Sequence, residues 1–451
     1  MKNNQAPKQR ESFAGSMAAT LALAGSAVGL GNLWRFPYLM GENGGAAFIV
    51  IYIILAFLIC LPVMTGEFLV GRRSQANVFG AFRKLAPDKL WKYLGVFSIF
   101  AVICILSFYS VVGGWSVEYF FKSCTFSFTG DDSEAQLSTM FSEFVSDPYK
   151  PLVFHTIFLG LTAGIVVLGV KNGIERFSKI MMPVLFFLMV AIAVRAMTLP
   201  GSSEGIKYIF RPDFSKVTSD TVLKALGQAF FSLSIGCGTV VTYASYVKKN
   251  ENILKCSAGT AIFDTTFAII AGCAIMPAVF AFGLNPSEGP GLVFVTLPHI
   301  FSQMPAGGII AVVFFFALLI AALTSSISLL EVVIVFMTEE MKMKRRWAVA
   351  ASFLLFWALG AVCSLSQGVM SDITLFGKNI FDLFDYISAN ILMLGGGFLS
   401  VIFVGWYLGP KIIKEELTNE GTLKVPAWLL NTVIFCIRFL APLGVLAIAV
   451  L

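Results

Sequence analysis

Two short runs place glycine beside oxygen-bearing side chains inside otherwise apolar sequence: Gly25-Ser26-Ala27-Val28-Gly29-Leu30-Gly31-Asn32 and Ser232-Leu233-Ser234-Ile235-Gly236-Cys237-Gly238. Glycine weakens a helix by about 1 kcal/mol relative to alanine, so each cluster marks a place where a helix comes apart. An unwound turn presents carbonyl oxygens, which suit a hard cation, and amide hydrogens, which suit an anion. Lipid offers no partner to such groups, so the turn must line a cavity inside the protein. A matched pair of breaks in two halves of one chain points to the binding site of a secondary transporter. Asp264 adds a carboxylate about nine residues beyond Lys255, roughly 14 Å at helical rise, near the membrane midplane. A charge at that depth is costly and usually functional. The hydroxyls of Thr324-Ser325 and the lone phenol of Ser107-Phe108-Tyr109-Ser110 also fall in apolar sequence. By type alone these are equally suited to gluing helices together.

Apolar helices must position these groups, and the composition supplies them. The 451 residues are 57% hydrophobic and 14% aromatic, with only 13% charged, about half the charge of a soluble domain. Runs of about 20 apolar residues are long enough to cross a bilayer as helices. About eleven spans are expected, near 14–40, 45–71, 93–122, 151–169, 175–199, 224–247, 256–284, 306–341, 347–367, 380–408 and 426–450. An ordinary soluble enzyme is excluded, while channel, transporter and receptor remain open.

Lysine and arginine set the orientation. Lys2, Lys8 and Arg10 precede span 1; Arg72, Arg73, Arg83, Lys84, Lys89 and Lys92 follow span 2; Lys171, Arg176 and Lys179 follow span 4. Lys248, Lys249 and Lys255 follow span 6, Lys342, Lys344, Arg345 and Arg346 follow span 8, and Lys411, Lys414 and Lys424 follow span 10. All fall on one side, so the amino terminus is expected in the cytoplasm and the carboxyl terminus outside. The loop 123–150, with Asp131, Asp132, Glu134, Glu143 and Asp147, suits the outer face. The first apolar run is too long and too glycine-broken for a cleavable signal peptide. The eight cysteines show no metal spacing and read as small packing residues. His155 and His299 are too scattered for a metal site or a dyad. The +6 net charge follows the positive-inside bias and gives no sign of a nucleic-acid partner. The segment 292–301 is too short to span and is expected to dip in as a re-entrant outer cap.

Spans 1–5 and 6–10 match in number and in having the broken helix first. Five spans per set start the second set from the opposite side, which makes an inverted-topology repeat about an axis in the membrane plane. The expected organisation is one transmembrane domain over 1–451, with repeat 1 at about 14–199, repeat 2 at about 224–408 and an extra helix at about 426–450.

The run Gly25-Ser26-Ala27-Val28-Gly29-Leu30-Gly31-Asn32-Leu33-Trp34-Arg35-Phe36-Pro37-Tyr38 resembles the first-helix signature of the neurotransmitter:sodium symporters. Glu42-Asn43-Gly44-Gly45, Gly289-Pro290-Gly291-Leu292-Val293-Phe294 and Leu323-Thr324-Ser325-Ser326 resemble three further motifs of that family, in the right order and spacing over nearly the whole chain. The resemblance implies an all-α integral membrane protein with the LeuT-type fold, a five-plus-five inverted repeat with broken helices 1 and 6. The span count is similar to that of bacterial members lacking the family's twelfth helix. That implies a multi-pass protein of a bacterial inner (plasma) membrane, surrounded by lipid.

The same resemblance implies two sodium sites. The first takes the Ala27 carbonyl, the Asn32 side chain, Ser232, a span 7 side chain and the cargo's own carboxylate. Asp264 stands where the family commonly offers Asn from span 7, and chloride-independent members carry a carboxylate nearby. Asp264 is therefore expected as a sodium ligand, a chloride surrogate or both, with chloride not required. The second site takes the carbonyls of Gly25, Val28 and Ala321 and the hydroxyls of Thr324 and Ser325. For the cargo, the amides of Leu30 and Gly31 and the Tyr109 hydroxyl meet a carboxylate, and the amine meets the carbonyls of Ala27 and Phe231 and the hydroxyls of Ser232 and Ser234. Gly29 stands where monoamine carriers of the family place Asp, which implies an amino acid with a free carboxylate. Its side chain faces Ile105, Phe231, Cys237, Ser325, Ser326 and Leu329, an uncharged lining that suits neutral hydrophobic or aromatic amino acids. Cys237 is small where some relatives carry Phe, leaving room for a larger ring.

The resemblance pairs Arg35 with Asp385 as an outer gate through water, above a lid of Tyr109 and Phe231. It matches Arg10, Phe13, Tyr246 and Glu339 to an inner lock, and Glu67 braces broken helix 6. The charge-derived topology independently puts the first pair outside and Arg10 with Glu339 inside. The function implied is sodium-coupled symport by alternating access. A membrane amino-acid sensor with the same pocket is the alternative, disfavoured by the lack of a sizeable cytoplasmic output domain. A channel fits paired gates poorly, and an enzyme lacks a nucleophile–base pair.

Overall fold

Within a bilayer the chain must satisfy its own backbone, so long apolar runs become helices. The computed structural model, which describes residues 11–128, 133–286 and 291–450, is helical almost throughout. Among the described residues the one β contact is the isolated bridge between Leu375 and Lys378. Eight helices are long and apolar enough to cross a membrane: Ala46–Ser74 (span 2), Lys92–Cys124 (span 3), Val170–Met197 (span 5), Ile253–Ala281 (span 7), Gly307–Glu339 (span 8), Arg345–Leu365 (span 9), Ile380–Leu417 (span 10) and Ala427–Ala447 (span 11). Bent pairs raise the number to ten by length and composition. Span 1 is one of them, Ser16–Ala27 and Gly31–Glu42 meeting at 49°; the other is Lys150–Val166 (span 4) with Glu134–Ser146, at 74°. The expected span 6 is present as Ser219–Ser232 and Thr239–Ala244, two pieces each too short to cross alone.

Burial sorts these helices into a centre and a rim. Over their most apolar stretches span 3 is 78% buried and spans 7 and 8 are 72% buried, whereas spans 5 and 11 reach only 33% and 28%. The central three surround the breaks; the outer two turn apolar side chains such as Phe187, Val194 and Leu443 outward, as lipid-facing helices do.

The outer end carries more structure than its acidic sequence indicates. Glu134–Ser146 opens with a capping box: Ser133 Oγ accepts from the Gln136 amide at 3.3 Å, and the Gln136 side chain accepts from the Ser133 amide at 2.8 Å. Its Phe141 stacks on Phe294 with centroids 5.6 Å apart, and Trp115 and Tyr119 meet the same two rings edge-on. Phe294 belongs to the short apolar helix Leu292–Gln303, the segment expected to dip in. Residues 287–290, including Gly289 and Pro290 of the family motif, lie outside the described residues.

Candidate substrate and sodium sites

Span 1 loses its helix between Ala27 and Gly31, and span 6 over the six residues 233–238. The second break is written into the backbone, because Ser234, Gly236 and Gly238 all take positive φ, at 53°, 84° and 79°. Only glycine adopts this region at little cost. Gly236 also lies against span 10, where a Cβ would run into the Met393 carbonyl oxygen. Its freed amide donates to Glu67 Oε1 at 3.0 Å, and Ser400 Oγ donates to the same oxygen at 3.2 Å. Glu67 thus fastens the unwound turn to spans 2 and 10.

Between the breaks lies a small cavity. Ten residues expected at the cargo line it: Ala27, Gly29, Gly31, Ile105, Tyr109, Phe231, Ser234, Cys237, Ser325 and Leu329. Ser26 and Met393 complete the wall. The Leu30 amide donates to the Tyr109 hydroxyl at 3.2 Å, which fixes that phenol at the amino-terminal end of the resumed helix. A Cβ at Gly29 would meet Ser325 Oγ and lie 2.8 Å from the Tyr109 oxygen, so a larger residue there requires those side chains to move. Two expected lining residues turn elsewhere. Ser232 Oγ donates to Asp264, and Ser326 Oγ donates to the Leu323 carbonyl at 3.0 Å while sharing a 2.8 Å hydrogen bond with Thr162. A buried hydroxyl goes to whatever acceptor would otherwise stay unsatisfied, and both have one closer than the cavity.

Asp264 has no solvent exposure and collects donors from three other spans. Asn32 Nδ2 donates to Oδ1 at 2.9 Å, Tyr52 to Oδ2 at 3.2 Å, and Ser232 to both oxygens at 2.8 Å. Asn32 also accepts the Gly29 amide at 3.2 Å, so the carboxylate network continues to the edge of the cavity. Of the expected first sodium set, Asn32, Ser232 and Asp264 are in direct contact, and Ala27 lines the adjoining cavity.

The second set is drawn together by one hydroxyl. Thr324 Oγ1 donates to the Val28 carbonyl at 3.2 Å and to the Ala321 carbonyl at 2.9 Å. Ser325 instead donates to the Ser26 carbonyl at 3.0 Å, an acceptor it shares with Ser234 at 3.1 Å. Gly25, one turn earlier, packs against Met182 and Ser178 of span 5, with no hydrogen bond linking it to Thr324 or Ser325.

At the outer end Arg35 lies over the Phe231 ring, 4.8 Å from Cζ to centroid. Its Nε and Nη1 are buried without a hydrogen-bond partner among the described residues. At the inner end Phe13 packs edge-on against Tyr243 and Tyr246, and its amide donates to the Tyr246 carbonyl at 3.0 Å. The Tyr246 hydroxyl donates to Glu331 at 2.7 Å, and Glu331 is gripped by Arg345 at 2.5 Å. Glu339 accepts from the Asn77 amide and side chain at 2.8 and 2.9 Å. Of the residues expected at an inner lock, Phe13 and Tyr246 are in contact, and Tyr246 reaches Glu331 and Arg345, which the sequence did not single out; Arg10 lies outside the described residues.

Tyr52, Gln228 and Ser26 were also passed over. Gln228 Nε2 donates to the Gly31 carbonyl at 2.7 Å, tying the two broken helices together. A polar residue within an aliphatic stretch, as in Ile51-Tyr52-Ile53, was the available signal.

The chain matches the family model "Sodium:neurotransmitter symporter family" over residues 10–141 and 138–451. It is 39% identical over 439 residues to an uncharacterized sodium-dependent transporter, YhdH, of Bacillus subtilis, covering 97% of this chain and 96% of the relative. It is 30% identical over 436 residues to an uncharacterized sodium-dependent transporter of Methanocaldococcus jannaschii, covering 93% and 86%. Its fold superimposes on the crystal structure of MhsT in complex with L-phenylalanine with a TM-score of 0.91 at 41% identity, over 98% of this chain and 99% of that one. Broken helices around a central pocket, an all-α membrane fold and these matches have one reading: the chain belongs to the sodium:neurotransmitter symporter family of multi-pass membrane transporters.

Proposed function

We propose that the protein imports neutral hydrophobic and aromatic L-amino acids together with two sodium ions, without chloride, by alternating access. The observation that carries this reading is the cavity between the breaks, where Tyr109 stands beside Gly29 at the start of the resumed helix and the wall combines the hydroxyls of Ser26, Ser234 and Ser325 with apolar side chains and no charge. A cargo carboxylate fits the Tyr109 and Gly31 end, and an apolar side chain fits Ile105, Phe231, Cys237, Leu329 and Met393. L-Phenylalanine in the MhsT complex is a cargo of that class.

One sodium would take Asp264, Ser232, Asn32 and the Ala27 carbonyl with the cargo carboxylate; the other would take Val28, Ala321, Thr324, Ser325 and Gly25. Hard cations take oxygen ligands of this kind. Asp264 supplies a fixed negative charge beside the first sodium, which removes the need for chloride. Moving two charges inward is worth roughly 4.6 kcal/mol per 100 mV, enough for an accumulation of about a thousandfold. Sodium binding favours the outward-facing state, cargo closes Arg35 and Asp385 over Phe231, and loss of the second sodium follows opening of the Phe13–Tyr246 side. We place the amino terminus in the cytoplasm of a bacterial cell, with spans 1–5 and 6–10 as the inverted repeats. The test is equilibrium binding of a panel of labelled amino acids to the purified protein. Phenylalanine, tyrosine, tryptophan and leucine should bind in sodium and not in choline, and lysine and glutamate should not bind. Equal binding in choline contradicts the proposal.

A further inference from the structure

Span 11 carries an arginine that the transport machinery leaves unused. Arg438 sits about 11 residues beyond Ala427, inside the apolar span Ala427–Ala447. A guanidinium stays ionised in proteins and is costly in an apolar span without a partner. Among the described residues it has no carboxylate partner: the acids at this end, Glu415 and Glu416, are engaged by Arg73 and Arg72. Its Nε is buried with no hydrogen bond.

Its surroundings are built. The guanidinium carbon lies 4.9 Å from the Trp406 ring centroid and 5.3 Å from that of Phe439, and both rings are exposed on the outer surface of the bundle, at 54% and 37%. Trp406 Nε1 donates to the Arg438 carbonyl at 2.9 Å. Both partners lie in π-helical turns, Phe403–Leu408 and Cys436–Leu440, a distortion that frequently marks functional positions. Gly405 lets the two helices approach closely, its Cβ position lying 3.1 Å from the Arg438 Cα. Helical side chains lean toward the amino-terminal end, which for span 11 is the side bearing Lys411, Lys414 and Lys424. The cation therefore reaches back toward the headgroups of that leaflet while the two rings face acyl chains.

We propose that Arg438, framed by Trp406 and Phe439, binds the headgroup phosphate of an anionic phospholipid from the Lys-rich leaflet. The planar guanidinium offers a bidentate fork to phosphate, and no carboxylate among the described residues is paired with it. This site does not depend on the identity of the transported cargo.

The experiment is native mass spectrometry of the delipidated protein offered an equimolar mixture of phosphatidylglycerol and phosphatidylcholine. The wild type should retain one more phosphatidylglycerol than Arg438→Leu, with occupancy lower in the variant by about tenfold. Arg438→Lys, which keeps the charge but loses the fork, should fall between them and serves if the leucine variant does not fold; an unchanged melting midpoint certifies each variant. Equal phosphatidylglycerol retention by wild type and Arg438→Leu overturns the proposal. So does phosphatidylcholine retained as strongly as phosphatidylglycerol, displacement of the lipid by inorganic phosphate, or a change confined to the dimer fraction.

Discussion

Two polar nodes flank the break in span 1, and they hold oxygen in opposite ways. At the first, four hydrogen bonds from Asn32, Tyr52 and Ser232 converge on the Asp264 carboxylate, joining spans 1, 2 and 6 to span 7. At the second, one Thr324 hydroxyl bridges the Val28 and Ala321 carbonyls, joining spans 1 and 8 through neutral groups. On the proposed reading, a cation at the first would meet a carboxylate in a fully buried setting, and at the second it would meet dipoles only. Coulomb attraction grows as the local dielectric falls, so the charged node should retain its ion and the neutral node release it. The weaker node would then be the one that empties when the protein opens inward.

That asymmetry can be broken from either side. Asp264→Asn should cost the most: removing one member of a buried charged network should weaken sodium-dependent amino-acid binding roughly hundredfold, and chloride should restore part of it. Sodium titrations in chloride and in gluconate read both effects. Gly29→Ala, placed between the nodes, pushes on Ser325 and Tyr109; overpacking of this kind predicts an amino-acid affinity roughly tenfold to a hundredfold weaker, measured by isothermal titration at saturating sodium. Thr324→Val removes the bridging hydroxyl alone and should raise the sodium concentration for half-maximal uptake about tenfold. A loss equal to that of Asp264→Asn would erase the distinction between the nodes. Tyr109→Phe is the smallest: one neutral hydrogen bond to the cargo carboxylate should raise KM about fivefold, with sodium dependence unchanged.

Much of the fold was legible because a membrane allows so few solutions. Uninterrupted apolar runs had to be helices, and glycines clustered with Ser and Asn had to be breaks. Asp264 stood out because a carboxylate amid Ala, Ile and Phe has no bland reason to be there. Its partners were not legible: Tyr52 lies 212 residues away in sequence, and nothing local marks which hydroxyl a buried acid will recruit. Ser232 and Ser326 were expected at the cargo from the family resemblance and instead hydrogen-bond to Asp264 and Thr162. Glu339 was expected from the family resemblance, whereas nothing singled out Glu331, which hides in Leu329-Leu330-Glu331-Val332 and is fully buried against Arg345. The helix Glu134–Ser146 announces itself through Ser133 and Gln136, a capping pattern outweighed by the acidity of the loop.

The most direct test of the account is accumulation of labelled L-phenylalanine in proteoliposomes, with an inward sodium gradient and gluconate in place of chloride. Uptake should rise above the external concentration and collapse when choline replaces sodium. Equilibration to the same level in both salts would mean that the unwound turns of spans 1 and 6 do not couple a cation to the cargo.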